Sequence, residues 1–228
     1  MATYNEIAYN ILNLMRGGEV SSDEPLQKEQ VIFMVDYCRG LLIKRELDKK
    51  KGIDKQLIQD LGCVDVSQVD RAECCEIETD CIVYRTAEKL PALTNSDTEM
   101  ITYVGGINKR TPYNLFSKSY AIRAKWTKYA SKSVNVYYTN GYLYIENYPG
   151  DLKHINIQGI FENPADVQSF VDCNKNNECD LGYDAPYPAP AWMISMITEI
   201  IIRRELTFMA GKLVDNTNNF KPIATNGN

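Results

Sequence analysis

The stretch Ser133-Val-Asn-Val-Tyr-Tyr-Thr-Asn-Gly-Tyr-Leu-Tyr-Ile-Glu-Asn147 carries the clearest local signal in the chain. Val134, Val136 and Tyr138 alternate with polar or aromatic neighbours, the period of two that marks a strand. Asn140-Gly141 then supplies the two positive φ angles of a type I′ turn. Tyr142 and Tyr144 follow on one face, Leu143 and Ile145 on the other, so a β-hairpin is predicted. Further β-like runs lie on both sides of it. Val64, Val66 and Val69 form one, Ile82, Val83 and Tyr84 another, and His154 to Phe161 a third.

The outer segments read as helix. Thr3 and Glu6 have the capping-box spacing. Ile7, Ala8, Ile11, Leu12, Leu14 and Met15 follow at helical spacing, and Arg16-Gly17-Gly18 is a stop. A second helix is expected from near Pro25 into the charged run Lys44 to Lys51, with Leu26, Phe33, Met34, Tyr37, Leu41 and Leu42 as its apolar positions. A short third helix is expected over roughly Lys55 to Leu61, closed by Gly62. Beyond the strands, Asn163-Pro164 opens a short helix over Ala165 to Phe170. A polar loop and the spaced prolines Pro186, Pro188 and Pro190 lead into a strongly apolar helix from Ala191 to about Ala210.

Strands grouped between helices predict an α+β fold: a helical bundle formed from the N-terminal and C-terminal helices, with a central β-rich insertion. The expected parts are an N-terminal helical part (1–62), a β-rich central domain (63–162), a C-terminal helical part completing the bundle (163–212), and an extended or disordered tail (213–228).

The chain has 228 residues, long enough to bury a sizeable core. Its formal net charge of -5 argues against general nucleic-acid binding, which needs phosphates neutralised by cations. It does not exclude a channel through which DNA slides, where an acidic wall would not stick. The fifteen tyrosines suit surfaces that meet a partner. The seven cysteines are odd in number and follow no disulfide framework; with no signal peptide visible, reduced, buried thiols are expected. The most apolar stretch, Trp192 to Ile202, is broken by Glu199 and closed by Arg203 and Arg204, so no membrane contact is expected.

Signatures of chemistry are missing. Gly17-Gly18, Gly105-Gly106 and Gly211-Lys212 lack the rest of any phosphate-cradling motif. The single histidine, His154, lies in a strand-like segment without a nucleophile elbow. Cys74, Cys75 and Cys81, and Cys173 and Cys179, are not at zinc-ligand spacing. No catalytic residue, cofactor or metal is therefore expected.

Charge is unevenly spread. From Met100 to Ile145 there is no Asp or Glu, while Lys109, Arg110, Lys118, Arg123, Lys125, Lys128 and Lys132 are interleaved with Tyr113, Phe116, Tyr120, Trp126 and Tyr129. Asp54 to Glu99, by contrast, carries eleven acidic and four basic residues, with Glu73, Glu76, Glu78 and Asp80 close together. Three readings fit: solvated faces of a sheet, a nucleic-acid surface of cations and stacking rings, or opposite-charge complementarity between neighbouring subunits. On the third, the interface candidates are Lys109, Arg110, Arg123, Lys125, Trp126 and Lys128 against Glu73, Glu76, Glu78 and Asp80.

The segments ATYNEIAYNILNLMRGG (2–18), LIQDLGC (57–63), AECC (72–75), NIQGIFENP (156–164) and APYPAPAWMISMIT (185–198), in that order, resemble the neck ring (adaptor) proteins of crAss-like phages. The resemblance implies a non-catalytic virion protein, assembled in the host cytoplasm. It would form a ring, a dodecamer if matched to the portal, beneath the portal protein and against other neck or tail ring proteins. Packaged DNA would pass through without specific recognition. Phe220 and Ile223, alone apolar in the Asn-rich end, are candidates for ordering against a partner.

Overall fold

The Asn140-Gly141 turn forms with φ of 52° and 84°, and it joins two antiparallel strands, Asn135–Thr139 and Tyr142–Glu146. Leu143 and Ile145 point into the core from this hairpin; truncating Leu143, which is fully buried, to Ala would cost about 2–5 kcal/mol. The structure, a computed structural model, describes residues 2–15, 26–49, 52, 54–70, 82–94, 100–124, 126–148, 150, 153–170 and 182–206.

Seven strands make one sheet: β1 (Gln59–Asp70), β2 (Ile82–Thr86), β3 (Ile101–Gly105), β4 (Asn114–Leu115), β5 (Asn135–Thr139), β6 (Tyr142–Glu146) and β7 (His154–Gly159). Their order is β3-β7-β1-β2-β6-β5-β4, antiparallel except for the β4–β5 pair. β1 is shared by two partners. Its first half pairs with β7 and its second half with β2. A register shift between Asp60 and Cys63, with Gly62 at φ 72°, marks a bulge, which bends the strand and lets the sheet curl.

The sheet almost closes on itself. The Tyr113 N–H donates to the Val104 carbonyl at 2.8 Å, and Gly105 bridges to Pro112. The chain then runs directly into β4, so the two ends of the strand order are joined by one short segment. Gly105 is required here, because a Cβ on it would collide with the Thr111 carbonyl oxygen. Gly159 is similarly confined, since a Cβ on it would lie 2.9 Å from the Met100 carbonyl oxygen.

The helices are α1 (Tyr4–Met15), α2 (Lys28–Asp48), α3 (Lys118–Ala124), α4 (Pro164–Ser169) and α5 (Ala191–Ile200), the last continuing as a wider π turn over Ile201–Leu206. The capping box at α1 is present: Glu6 N–H donates to Thr3 Oγ1 at 3.1 Å and Thr3 N–H to Glu6 Oε2 at 3.0 Å. Asn163 caps α4, accepting from the Ala165 N–H at 3.1 Å. α1 packs on α2 and α2 on α5, while α3 lies on β5 and α4 on β1. Val31, Val35, Leu42, Met193 and Ile197 from the helices join Val136, Leu143, Ile155 and Ile157 from the strands, and Phe161 just after β7, in one buried cluster.

This corrects the expected fold class. The molecule is built around a nearly closed, barrel-like seven-stranded mixed sheet flanked by helices, and is not a helical bundle carrying a β insertion. Two local expectations change with it. Only Lys55–Leu57 is a short 3-10 turn, and Gln59 onward is strand, so Gly62 is a bulge residue instead of a helix stop. In α2 the buried side is Val31, Ile32, Val35, Cys38, Leu42 and Ile43, while Phe33 and Tyr37 face outward. Cys63 is disulfide-bonded, against the expectation of reduced thiols; Cys38 is buried, and the other five cysteines lie outside the described residues.

Candidate assembly interface

The acid-free stretch leaves the barrel at β4 and returns at β5. Between them, α3 sets Ala121 and Ala124 against the sheet, small enough for close approach, and turns its other residues outward. Trp126 is 85% and Tyr129 86% exposed, and Tyr120 is exposed as well. Tyr120 packs against Phe116 with ring centroids 4.5 Å apart, and Lys128 Nζ sits 5.7 Å from the Tyr129 ring centroid. Lys118, Arg123 and Lys128 are exposed, and among the described residues none of them pairs with a carboxylate. Three exposed aromatic side chains and three exposed cations thus share this segment, on a support packed through Ala121 and Ala124.

Lys109 differs from the rest of the stretch. It stands on the turn between β3 and β4 and pairs with Asp60 in the same chain. Asp60 also accepts from Asn156 Nδ2 at 2.8 Å, Gln158 Nε2 at 3.0 Å and the Gly62 N–H at 2.9 Å. Burial pushes the Asp60 carboxyl up, but these four donors together outweigh it and hold its pKa below the usual value. The charge complementarity expected between subunits is here made within one subunit, where it ties the β3–β4 turn to β1 and β7. Arg110, next along, is exposed. Lys125, Glu73, Glu76, Glu78, Asp80, Phe220 and Ile223 lie outside the described residues.

A second outward surface was not anticipated. On α2, Phe33 is 73% and Tyr37 55% exposed, and with Gly40, Leu41, Thr94 and Asn163 they line a groove that also contains Asp36, Lys44 and Glu162. Behind it lies a buried polar network. Tyr187 and Tyr4 hydroxyls donate to Asp36 Oδ1 at 3.0 and 3.3 Å. Arg39, fully buried, donates from Nη1 to the Phe161 carbonyl at 2.8 Å and from Nε to the Pro188 carbonyl at 3.3 Å. Burial raises the Asp36 carboxyl to about 6, despite the hydrogen bond from Tyr187 and the nearby Arg39 charge, and burial raises both tyrosines. The sequence signal for this network is Asp36 and Arg39 three apart on one helix, but their tyrosine partners are 32 and 151 residues from Asp36.

His154 is a surface residue of β7, paired with Asp65 of the neighbouring β1. The depression beside it is lined by Gly106, Ile107, Asn108, Thr111, Tyr113 and Val134. Among the described residues, no group of three His, Cys, Asp or Glu side chains is arranged to hold a metal ion. No helix among them is long and apolar enough to cross a membrane.

A family model described as phage tail ring protein 2, of the crAss-like phages, matches residues 6–225. The chain belongs to that family. No curated protein matches it. As a tail ring protein it is a structural component of the virion, and its surfaces are to be understood as those of a subunit in an assembly. The resemblance drawn from the five sequence segments therefore holds at the level of a crAss-like phage ring protein.

Proposed function

We propose that this chain is a non-catalytic subunit of a closed homo-oligomeric ring in the phage neck, joining the portal to the tail and lengthening the DNA channel. The observation that carries the reading is the outward set Tyr120, Trp126 and Tyr129 with its unpaired cations, held on a barrel by the buried face of α3. Aromatic residues and arginine are favoured at protein contacts, and a head-to-tail contact between unlike patches closes into a ring when its rotation permits. A net charge of -5 suits a subunit past which DNA slides without recognition. Portal-matched symmetry would make the ring a dodecamer, with the portal and another ring protein above and below and assembly in the host cytoplasm.

Sedimentation and negative-stain imaging of the purified protein test this. Closed rings are the expected result, with little affinity for DNA. A monomer at every concentration, binding DNA with a steep salt dependence, would instead make the 109–132 stretch a nucleic-acid-binding surface.

A further inference from the structure

The α2 groove presents an oddity that the single chain does not explain. Gly40 lies well inside a 21-residue helix, where glycine is a poor choice. No contact within the chain demands it, because a Cβ there would meet nothing within 4 Å. The empty space above Gly40 is walled by Phe33, Tyr37 and Leu41, and Asp36 and Glu162 lie at the same groove. Both tyrosine hydroxyls bond Asp36 through Oδ1, and Oδ2 has no partner among the described residues. The site is an apolar socket whose margin carries two carboxylates, Asp36 and Glu162, and one cation, Lys44. Phe33 and Tyr37 are 73% and 55% exposed, so the socket is open to a partner.

The chain's own C-terminal end has the matching chemistry. Phe220-Lys221-Pro222-Ile223 sets one cation between two apolar residues in an otherwise Asn-rich segment. Pro222 biases Lys221 to an extended backbone, and in a polyproline-type turn of three residues Phe220 and Ile223 fall on one face, about 9 Å apart. Successive members of the stripe Phe33, Tyr37 and Leu41 are about 6 Å apart along α2, so two anchors span its gaps. Fourteen residue steps lead from Leu206 to Phe220, a reach of about 46–50 Å when extended. We infer that the α2 groove receives the C-terminal segment 213–228 of a neighbouring copy, with Phe220 over Gly40, Ile223 further along the Phe33–Tyr37–Leu41 stripe, and Lys221 against Asp36 and Glu162. This rests on the ring reading and adds a tether of one subunit by the next, made by a segment that orders on binding.

The test replaces Phe220 with photo-reactive p-benzoylphenylalanine in the full-length chain, irradiates the assembled protein, and maps the cross-links by mass spectrometry. Inter-chain links to residues 33–44 are expected. In a second chain that also carries Gly40→Leu, the filled socket should lower their yield about tenfold or more, as for the loss of one buried apolar anchor. Gly40→Leu should leave the melting temperature equal or higher, since leucine is the better helix former, which separates lost docking from misfolding. Closed rings whose position 220 links elsewhere, or only within its own chain, overturn this inference and leave the ring reading standing. A protein that forms no ring and no inter-chain link overturns both.

Discussion

Arg39 Nη1 donates to the main-chain carbonyl of Phe161 at 2.8 Å, so a guanidinium on helix α2 completes the end of the barrel. Phe161 follows β7 directly, and Arg39 Nε reaches the Pro188 carbonyl on the approach to α5. One buried side chain thus joins three parts of the chain. Substituting Ala would leave two carbonyls without this donor, isolate the Asp36 charge and open a cavity. Breaking one member of a buried charged network costs about 3–5 kcal/mol. Arg39→Ala should therefore lower the urea midpoint sharply, and a chain retaining wild-type stability would show that the guanidinium is dispensable.

Asp36 gives this network a pH dependence of known sign. Its carboxyl is raised from 3.8 to about 6, chiefly by burial, so the folded protein holds the proton more tightly than the unfolded chain does. Between those two values folding takes up a proton, and the stability this group contributes falls as pH rises. Above and below that window the contribution is constant. Comparing wild type with Asp36→Asn cancels the other carboxylates. The difference in unfolding free energy should move in favour of the wild type by about 1–3 kcal/mol from pH 7 to pH 4. A flat difference would mean Asp36 is not held protonated in the folded state.

The barrel closure and the α2 socket make opposite predictions for the same substitution. Gly105→Ala drives a methyl group into the Thr111 carbonyl at the β3–β4 junction, and such overpacking costs about 1–3 kcal/mol. Gly40→Ala meets no atom and improves the helix, so it should stabilise the isolated chain by about 0.5–1 kcal/mol. Thermal melts of both variants beside wild type are sufficient. Equal effects of the two would contradict the placement of Gly105 at a closed seam.

What the sequence reveals, and what it hides, follows from the range of the interactions. The Asn140-Gly141 hairpin and the Thr3–Glu6 capping box are made by residues three or fewer apart, and both form as expected. The barrel is held by distant pairings: β1 with β7, β3 with β7, and Tyr113 with Val104. None has a local signature, and β4 is only two residues long. Lys55 to Leu61 looked helical because its apolar residues fit that period, whereas pairing with β7 decides for strand from Gln59 onward. In α2, apolar residues lie on both sides, so periodicity alone does not say which side the core takes. The charge asymmetry around Met100 to Ile145 was plain, but its use of Lys109 inside the subunit depends on Asp60 arriving through the barrel.

That division leaves the exposed end of the basic stretch as the part available to a neighbour. Trp126 and Tyr129 contribute little to the fold at 85% and 86% exposure, so replacing Trp126 with Ala should change stability by no more than about 0.5 kcal/mol. In a contact the same side chain would be an anchor, where truncation of a central aromatic costs about 2 kcal/mol or more. Charge reversal at Lys125 and Lys128 should act differently, slowing assembly and changing its salt dependence, because charges outside a buried centre set association rate more than affinity. Trp126→Ala is thus expected to shift the sedimentation profile from rings toward monomers at any salt concentration, with an unchanged melting temperature. Lys125→Glu with Lys128→Glu should do so mainly at low salt. Rings of undiminished stability in both variants would move the subunit contact away from this segment.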